Sequence, residues 1–301
     1  MKHILLGICT VIVLLAGFSS CGDADRITYS GTEYTMFSDT MWVLGVQNSE
    51  EIFDIPVAST QACSYDRNYG IEIVHNKTNA VEGKQFHLLA NTVTIKAGEY
   101  STNVQIRGGY DEIEAADSVG FTLRLIAADE QKWDIYNTAT NNYNETHVIL
   151  QKCCPFSLDV FTGYCVLTSS FFNSYMTNVS HLLVKTERDP AKENSIILKD
   201  CFYKGTDLRM TFDTENPLKP YISFDEQVFG PTSEAFGTLY GNGKIIMYSP
   251  NGYQSYYSVC ENYVLQYMTL YVDGVGTIGS YMNIYEWISD EEAERIMREG
   301  F

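Results

Sequence analysis

The sequence predicts an all-β protein of two domains, a β-sandwich followed by an antiparallel meander that curls barrel-like, with one short helix at the C-terminus. Three observations carry this. Apolar and polar residues alternate with a period of two through many short runs. Clusters of Gly, Pro, Asn and Asp separate those runs. A helix start followed by helical spacing appears only near the end of the chain.

Along the chain, Lys2, an apolar stretch at residues 4–16 and "GFSSC" read as a signal peptide that ends before Cys21. The apolar core is about a dozen residues, short of the ~20 needed to span a bilayer as a helix. The expected organisation is a leader at 1–20 and a tether at 21–27, with Cys21 carrying lipid.

An Ig-like sandwich is expected over residues 28–152. Its strands include "YGIEIVH", "NTVTIKA", "STNVQIRG" and "GFTLRLIAA", and residues 146–152 supply the last one. Val93 with Ile95, Val104 with Ile106, and Phe121 with Leu123 and Leu125 each fall on one face, so every strand reads as half buried.

Residues 155–288 read as a lipocalin-like β domain. Runs such as "FTGYCVLTSSFF", "NSIILKDCFY", "GKIIMYS" and "YVLQYMTLYV" follow one another through loops such as "TENPLKP" and "YGNGK". Consecutive strands with short loops favour a meander, and curling removes its open edges. Residues 289–301 form the helix: Ser289 and Glu292 make a capping box, Asp290 and Glu291 suit the positive N-terminus, and Arg295 and Arg298 sit late. Ile296 and Met297 are expected to dock it on the barrel.

The chain carries 38 acidic against 20 basic side chains, a formal charge of −18. Such a charge repels phosphate backbones and excludes nucleic acid as a partner. Beyond Cys21, the cysteines are Cys63, Cys153, Cys154, Cys165, Cys201 and Cys260. Their spacing matches neither a dense disulfide framework nor a zinc site, so inert thiols are expected and the pairing is left open, a vicinal Cys153–Cys154 bond included.

The segment running from "NAVEGKQF" through "VTIKAGEY" and "YDEIEAADS" to "GFTLRLI" resembles a Calx-β-type domain. The resemblance implies a sandwich, and in calcium-binding members the ligands come from the acidic loop and from a Gly-Asp-Tyr turn. Here Asp111, Glu112, Glu114 and Asp117 occupy that loop, Gln85 stands where the turn's Asp is expected, and "SVG" replaces part of the usual acidic pair. The loop reads first as a solvated turn, with a weak calcium site as its alternative. Over nearly its whole length, through "FSSC", "HVILQKCCPF", "FTGY", "FGTLYGNGK" and "YEWISDEEAE", the chain also resembles lipoproteins of Bacteroides-type bacteria. That resemblance implies an outer-membrane, cell-surface address, often beside glycan-uptake systems, and brings no established activity with it.

Enzymatic chemistry finds little footing: "TSEAFG" is not a G-x-S-x-G elbow, and "GNGK" lacks the frame of a phosphate loop. Binding is better motivated. Tyr248, Tyr253, Tyr256, Tyr257, Tyr263 and Tyr267 fall within twenty residues, and sugars lay their C–H faces on aromatic rings. Tyr263 and Tyr267 are expected to pack inside as strand residues. Tyr253, Tyr256 and Tyr257, with Asn251 and Gln254, are the candidate glycan site. No cofactor other than calcium is expected. The alternatives are an accessory subunit of an outer-membrane complex and a carrier of a small apolar ligand.

Overall fold

The computed structural model describes residues 31, 33–115, 117–127, 134–135 and 143–301. Cys21 and the leader lie outside the described residues. The first ten strands are β1 (Tyr34–Phe37), β2 (Met41–Val46), β3 (Ile52–Ser59), β4 (Arg67–Ile73), β5 (Phe86–Leu88), β6 (Thr92–Ile95), β7 (Ser101–Gly108), β8 (Ser118–Ala127), β9 (Asp134–Ile135) and β10 (Glu145–Lys152). They form two five-stranded sheets, ordered β5-β7-β3-β1-β9 and β2-β10-β8-β4-β6.

The two sheets close on each other through the residues that period two selects. Val93, Ile95, Val104, Ile106, Phe121, Leu123 and Leu125 are all buried, and the rings of Phe86 and Phe121 stack at 3.8 Å across the layer. Arg67 is fully buried, and its guanidinium donates to Ser59 Oγ (2.6 Å) and to the carbonyls of Gln61 (2.9 Å) and Glu99 (2.6 Å). Those bonds satisfy a charge that could not otherwise be taken from water, and they tie the "IKAGE" turn to the end of β3.

The second ten strands are β11 (Gly163–Ser169), β12 (Leu182–Arg188), β13 (Ser195–Lys199), β14 (Leu208–Phe212), β15 (Ile222–Ser223), β16 (Gln227–Pro231), β17 (Lys244–Tyr248), β18 (Tyr256–Ser258), β19 (Tyr263–Val272) and β20 (Gly276–Ile288). Their sheet runs β15-β14-β13-β12-β11-β20-β19-β17-β16, with β18 added to β19, and every pairing in it is antiparallel. The first and last strands of the domain, β11 and β20, pair side by side, so two meanders meet there. The far edges approach through side chains: the Gln227 amide accepts from the Arg209 N–H (2.8 Å) and donates to the Arg209 carbonyl (2.9 Å). One side chain thus bridges β16 to β14 where a backbone ladder would close a barrel.

The interior of this curled sheet is filled. Phe161, Phe171, Phe229, Met268, Tyr285 and Trp287 are among its buried residues, and Trp287 donates to Thr186 Oγ1 at 2.9 Å. The space that a carrier of an apolar ligand needs is taken by the protein's own side chains. The short helices α1 (Phe172–Tyr175) and α2 (Thr232–Phe236) sit in its loops, and α3 (Asp290–Glu299) closes the chain. Ser289 caps α3, its Oγ accepting from the Glu292 N–H at 3.2 Å. The docking face differs from expectation. Ala293 and Ile296, three apart, are buried, whereas Met297 is turned a further 100° and exposed.

Cys154 and Cys260 are joined by a disulfide, while Cys63, Cys153, Cys165 and Cys201 are free. The bond ties the strap that follows the sandwich to the β18–β19 turn of the second domain. It corrects the expectation of inert thiols and settles on a partner 106 residues away rather than the adjacent Cys153.

Candidate functional site

Strand β19 decides where the tyrosines go. Val264, Gln266, Met268, Leu270 and Val272 point into the core, so Tyr263, Leu265, Tyr267 and Tyr271 must point out. The expectation that Tyr263 and Tyr267 pack inside is therefore overturned. Both lie half buried on the outer face. From Tyr263 to Tyr271 the strand advances about 27 Å, the length of a short oligosaccharide rather than of one ring.

Neighbouring elements widen this aromatic row. Tyr248, at the end of β17, lies 5.8 Å ring to ring from Tyr271. Tyr253 lies 5.3 Å from Tyr267, and Tyr256 lies 6.1 Å from Tyr263. Met282 of β20, opposite Tyr267 in register, is exposed. Tyr253 is the most open ring, at 65%. Its loop is held because the Tyr267 N–H donates to the buried Ser255 Oγ at 2.9 Å. Asn251 and Gln254 are exposed beside it, and the Gln254 amide donates to the Ser255 carbonyl at 3.2 Å. The Tyr271 hydroxyl donates to Glu226 Oε1 at 3.0 Å, and this bond to a carboxylate holds its pKa above the ordinary phenol value.

Tyr257 does not belong to that face. It is buried among Phe156, Phe161 and Phe212, with centroid distances of 5.1 to 5.7 Å, and its hydroxyl donates to the Asp213 carbonyl at 2.9 Å. Burial pushes the hydroxyl up to about 12. In β18 the register puts Tyr256 out and Tyr257 in, so adjacent tyrosines serve opposite faces. Of the five candidate residues, Tyr253, Tyr256, Asn251 and Gln254 reach the surface and Tyr257 is scaffold.

The acidic loop is held by its neighbours' backbone and by Gln85. Gly109 enters it against the backbone of Lys84, where an added Cβ would meet the Lys84 carbonyl oxygen at 1.9 Å, so only glycine permits this approach. Gln85 bridges the loop by accepting from the Val81 N–H (2.9 Å) and donating to the Glu112 carbonyl (3.2 Å). Asp111 accepts from Ser49 Oγ at 3.4 Å, and Asp117 caps the Ser118 N–H at 2.7 Å. Asp111 and Glu112 share a hollow with His87 and with the cationic side chains of Lys84 and Arg107. Among the described residues no three His, Cys, Asp or Glu side chains are grouped to hold a metal ion.

Two histidines contact hydroxyls: His147 Nδ1 lies 2.9 Å from Thr122 Oγ1, and His181 Nδ1 lies 3.0 Å from Thr168 Oγ1. Among the described residues neither ring is hydrogen-bonded to a carboxylate.

Residues 142–299, which take in the whole of the second domain, match the family described as "Domain of unknown function (DUF4984)". The chain belongs to this family. No curated protein matches it. Among solved structures, this DUF4984 protein is similar to CBD12 from CALX1.2, at 10% identity over 88% of this chain and 87% of that one, with a TM-score of 0.38. A protein of unknown function from Bacteroides ovatus is similar at 8% identity over 84% of this chain and 89% of its own, with a TM-score of 0.35. An auxiliary nutrient binding protein from Bacteroides thetaiotaomicron is similar at 10% identity over 82% and 90%, with a TM-score of 0.27.

Sequence reasoning missed Tyr248, Tyr263, Tyr267 and Tyr271 as surface residues. The signal was present in the spacing of 263, 267 and 271, which period two puts on one face. Which face of the strand is buried was not written in that spacing.

Proposed function

We propose that this protein is a non-enzymatic receptor for an extracellular glycan, held at the cell surface of the outer membrane by lipid on Cys21 and serving as an accessory to a glycan-uptake system. The observation that carries the reading is the outward row of tyrosines along β19, flanked by Tyr248, Tyr253 and Tyr256. Aromatic rings with hydroxyls at their edges, half exposed and held by packing, suit the alternating C–H faces and hydroxyl groups of sugars. "FSSC" supports the anchor. The filled interior of the curled sheet turns the reading away from an apolar cargo.

The test is a glycan array probed with residues 22–301, followed by titration of each hit against Tyr267→Ala. A hit that weakens in the variant supports the reading, and a blank from cooperatively folded protein overturns it.

A second reading, an accessory subunit that docks on a protein partner, is favoured by exposed Met41 and Val43 on β2, a strand at the edge of its sheet. Retention of a neighbouring surface protein that is lost in Met41→Lys would support docking through this edge.

A further inference from the structure

The tyrosine row ends at a cleft between the two domains. One wall comes from the sandwich and its strap, with Gln47, Gln151 and Lys152. The other comes from the second domain, with Tyr256, Tyr263 and Glu261, and the Cys154–Cys260 disulfide joins the two walls. Its volume is about 220 Å³, below the ~300 Å³ at which drug-sized pockets begin. The cleft holds one ring, not a chain.

Its polar groups are free to bind. Among the described residues, the amides of Gln47 and Gln151 and the carboxylate of Glu261 make no side-chain hydrogen bond within the protein. The Lys152 ammonium is fixed instead over the Tyr110 ring, 4.5 Å from its centroid, and the Tyr110 hydroxyl donates to Cys154 Sγ at 3.4 Å. The wall from the second domain is held as well, since the Tyr257 N–H donates to the Pro220 carbonyl at 2.8 Å and Pro220 also lines the cleft. Amides offer donors and acceptors together, and a carboxylate and an ammonium sit beside two aromatic rings. A sugar ring, with hydroxyls around its rim and C–H bonds on its faces, matches that set of groups.

We infer that this cleft is the end subsite of the glycan-binding face, taking a single terminal sugar between the two domains, while the outer tyrosines carry the units that follow. Tyr256 and Tyr263 belong to both, which gives the chain direction: its end enters the cleft and its body runs along β19 toward Tyr271. The disulfide holds the walls at the spacing the sugar needs, so reducing it loosens the subsite. This inference rests on the glycan reading above.

The test is ligand-observed saturation-transfer NMR on oxidised protein, with free glucose, galactose, mannose, fucose, N-acetylglucosamine and glucuronate as probes at millimolar concentration. One or more should receive saturation. Gln47→Ala and Gln151→Ala, at half-buried and exposed positions that leave the melting temperature in place, should each weaken that binding about tenfold, ~1.4 kcal/mol. Cys260→Ser should weaken it in the same direction. Transfer that is unchanged in both glutamine variants overturns the cleft. So does the absence of transfer when an array oligosaccharide binds and is lost in Tyr267→Ala, an outcome that leaves the outer face standing. Silence from every monosaccharide and every oligosaccharide overturns both.

Discussion

The ring of Tyr253 lies 5.3 Å from that of Tyr267, and the Tyr267 N–H donates to Ser255, two residues beyond Tyr253. The loop is thereby laid onto a central strand, and its exposed ring is held on the outer face. Preorganisation of this kind lowers the ordering entropy that binding must overcome.

That relationship separates two tyrosines that look alike in sequence. Tyr267→Ala should weaken glycan binding about tenfold, ~1.4 kcal/mol, with little change in melting temperature. Tyr257→Ala should cost about 3–5 kcal/mol of stability, as for other buried aromatics. Urea unfolding and calorimetric titration of the two variants, run in parallel, read the contrast.

Removing the inter-domain disulfide should destabilise the protein by about 2–5 kcal/mol, because the bond closes a loop of 106 residues in the unfolded chain. Cys154→Ser and Cys260→Ser should lose the same amount, and the double variant no more than either. Unequal losses would mean that one thiol has another partner.

Calcium should leave the protein as it is. The acidic loop caps its own backbone and shares its hollow with Lys84 and Arg107, so the melting temperature should not move between millimolar calcium and chelator. A rise in melting temperature with calcium would show that the loop rearranges around the ion.

Acid should weaken the sandwich through Glu145. Burial opposes its ionisation, yet Lys77 at 2.7 Å and Arg124 at 2.7 and 2.9 Å win, and the carboxyl lies below its ordinary value of 4.5. A depressed carboxylate adds stability above its unfolded pKa and loses it as the pH falls through the folded one. Stability should therefore decline as the pH drops below about 4.5, and Glu145→Gln should flatten that part of the profile. Urea midpoints measured from neutral to acid pH check the sign.

Much of this architecture was legible in the sequence. Val93, Ile95, Val104, Ile106 and Phe121 alternate with polar residues, so the buried face of each sandwich strand could be read directly, and Ser289 with Glu292 marked the start of α3. Strand β19 was harder because both of its faces are apolar. The inward face even carries a glutamine: Gln266 Oε1 accepts from Asn283 Nδ2 at 2.9 Å and from the Tyr285 hydroxyl at 3.0 Å, and Asn283 Oδ1 accepts from Ser169 Oγ at 2.6 Å. Polar residues that satisfy one another across three strands can be buried, and no single strand's pattern announces it. Tyr263 and Tyr267 were therefore expected inside, on the face that Gln266 in fact occupies. The disulfide was hidden for a similar reason, since only the folded chain brings residue 154 to residue 260.

Whether the outer face of β19 binds glycan is decided by titrating the strongest array hit against wild type and the triple variant Tyr253→Ala, Tyr267→Ala, Tyr271→Ala. Saturable binding to wild type is expected, with a loss of about a hundredfold or more in the variant, ~2.8 kcal/mol, and the same cooperative melt. Equal affinity in the two proteins would contradict it and return the tyrosines to scaffold.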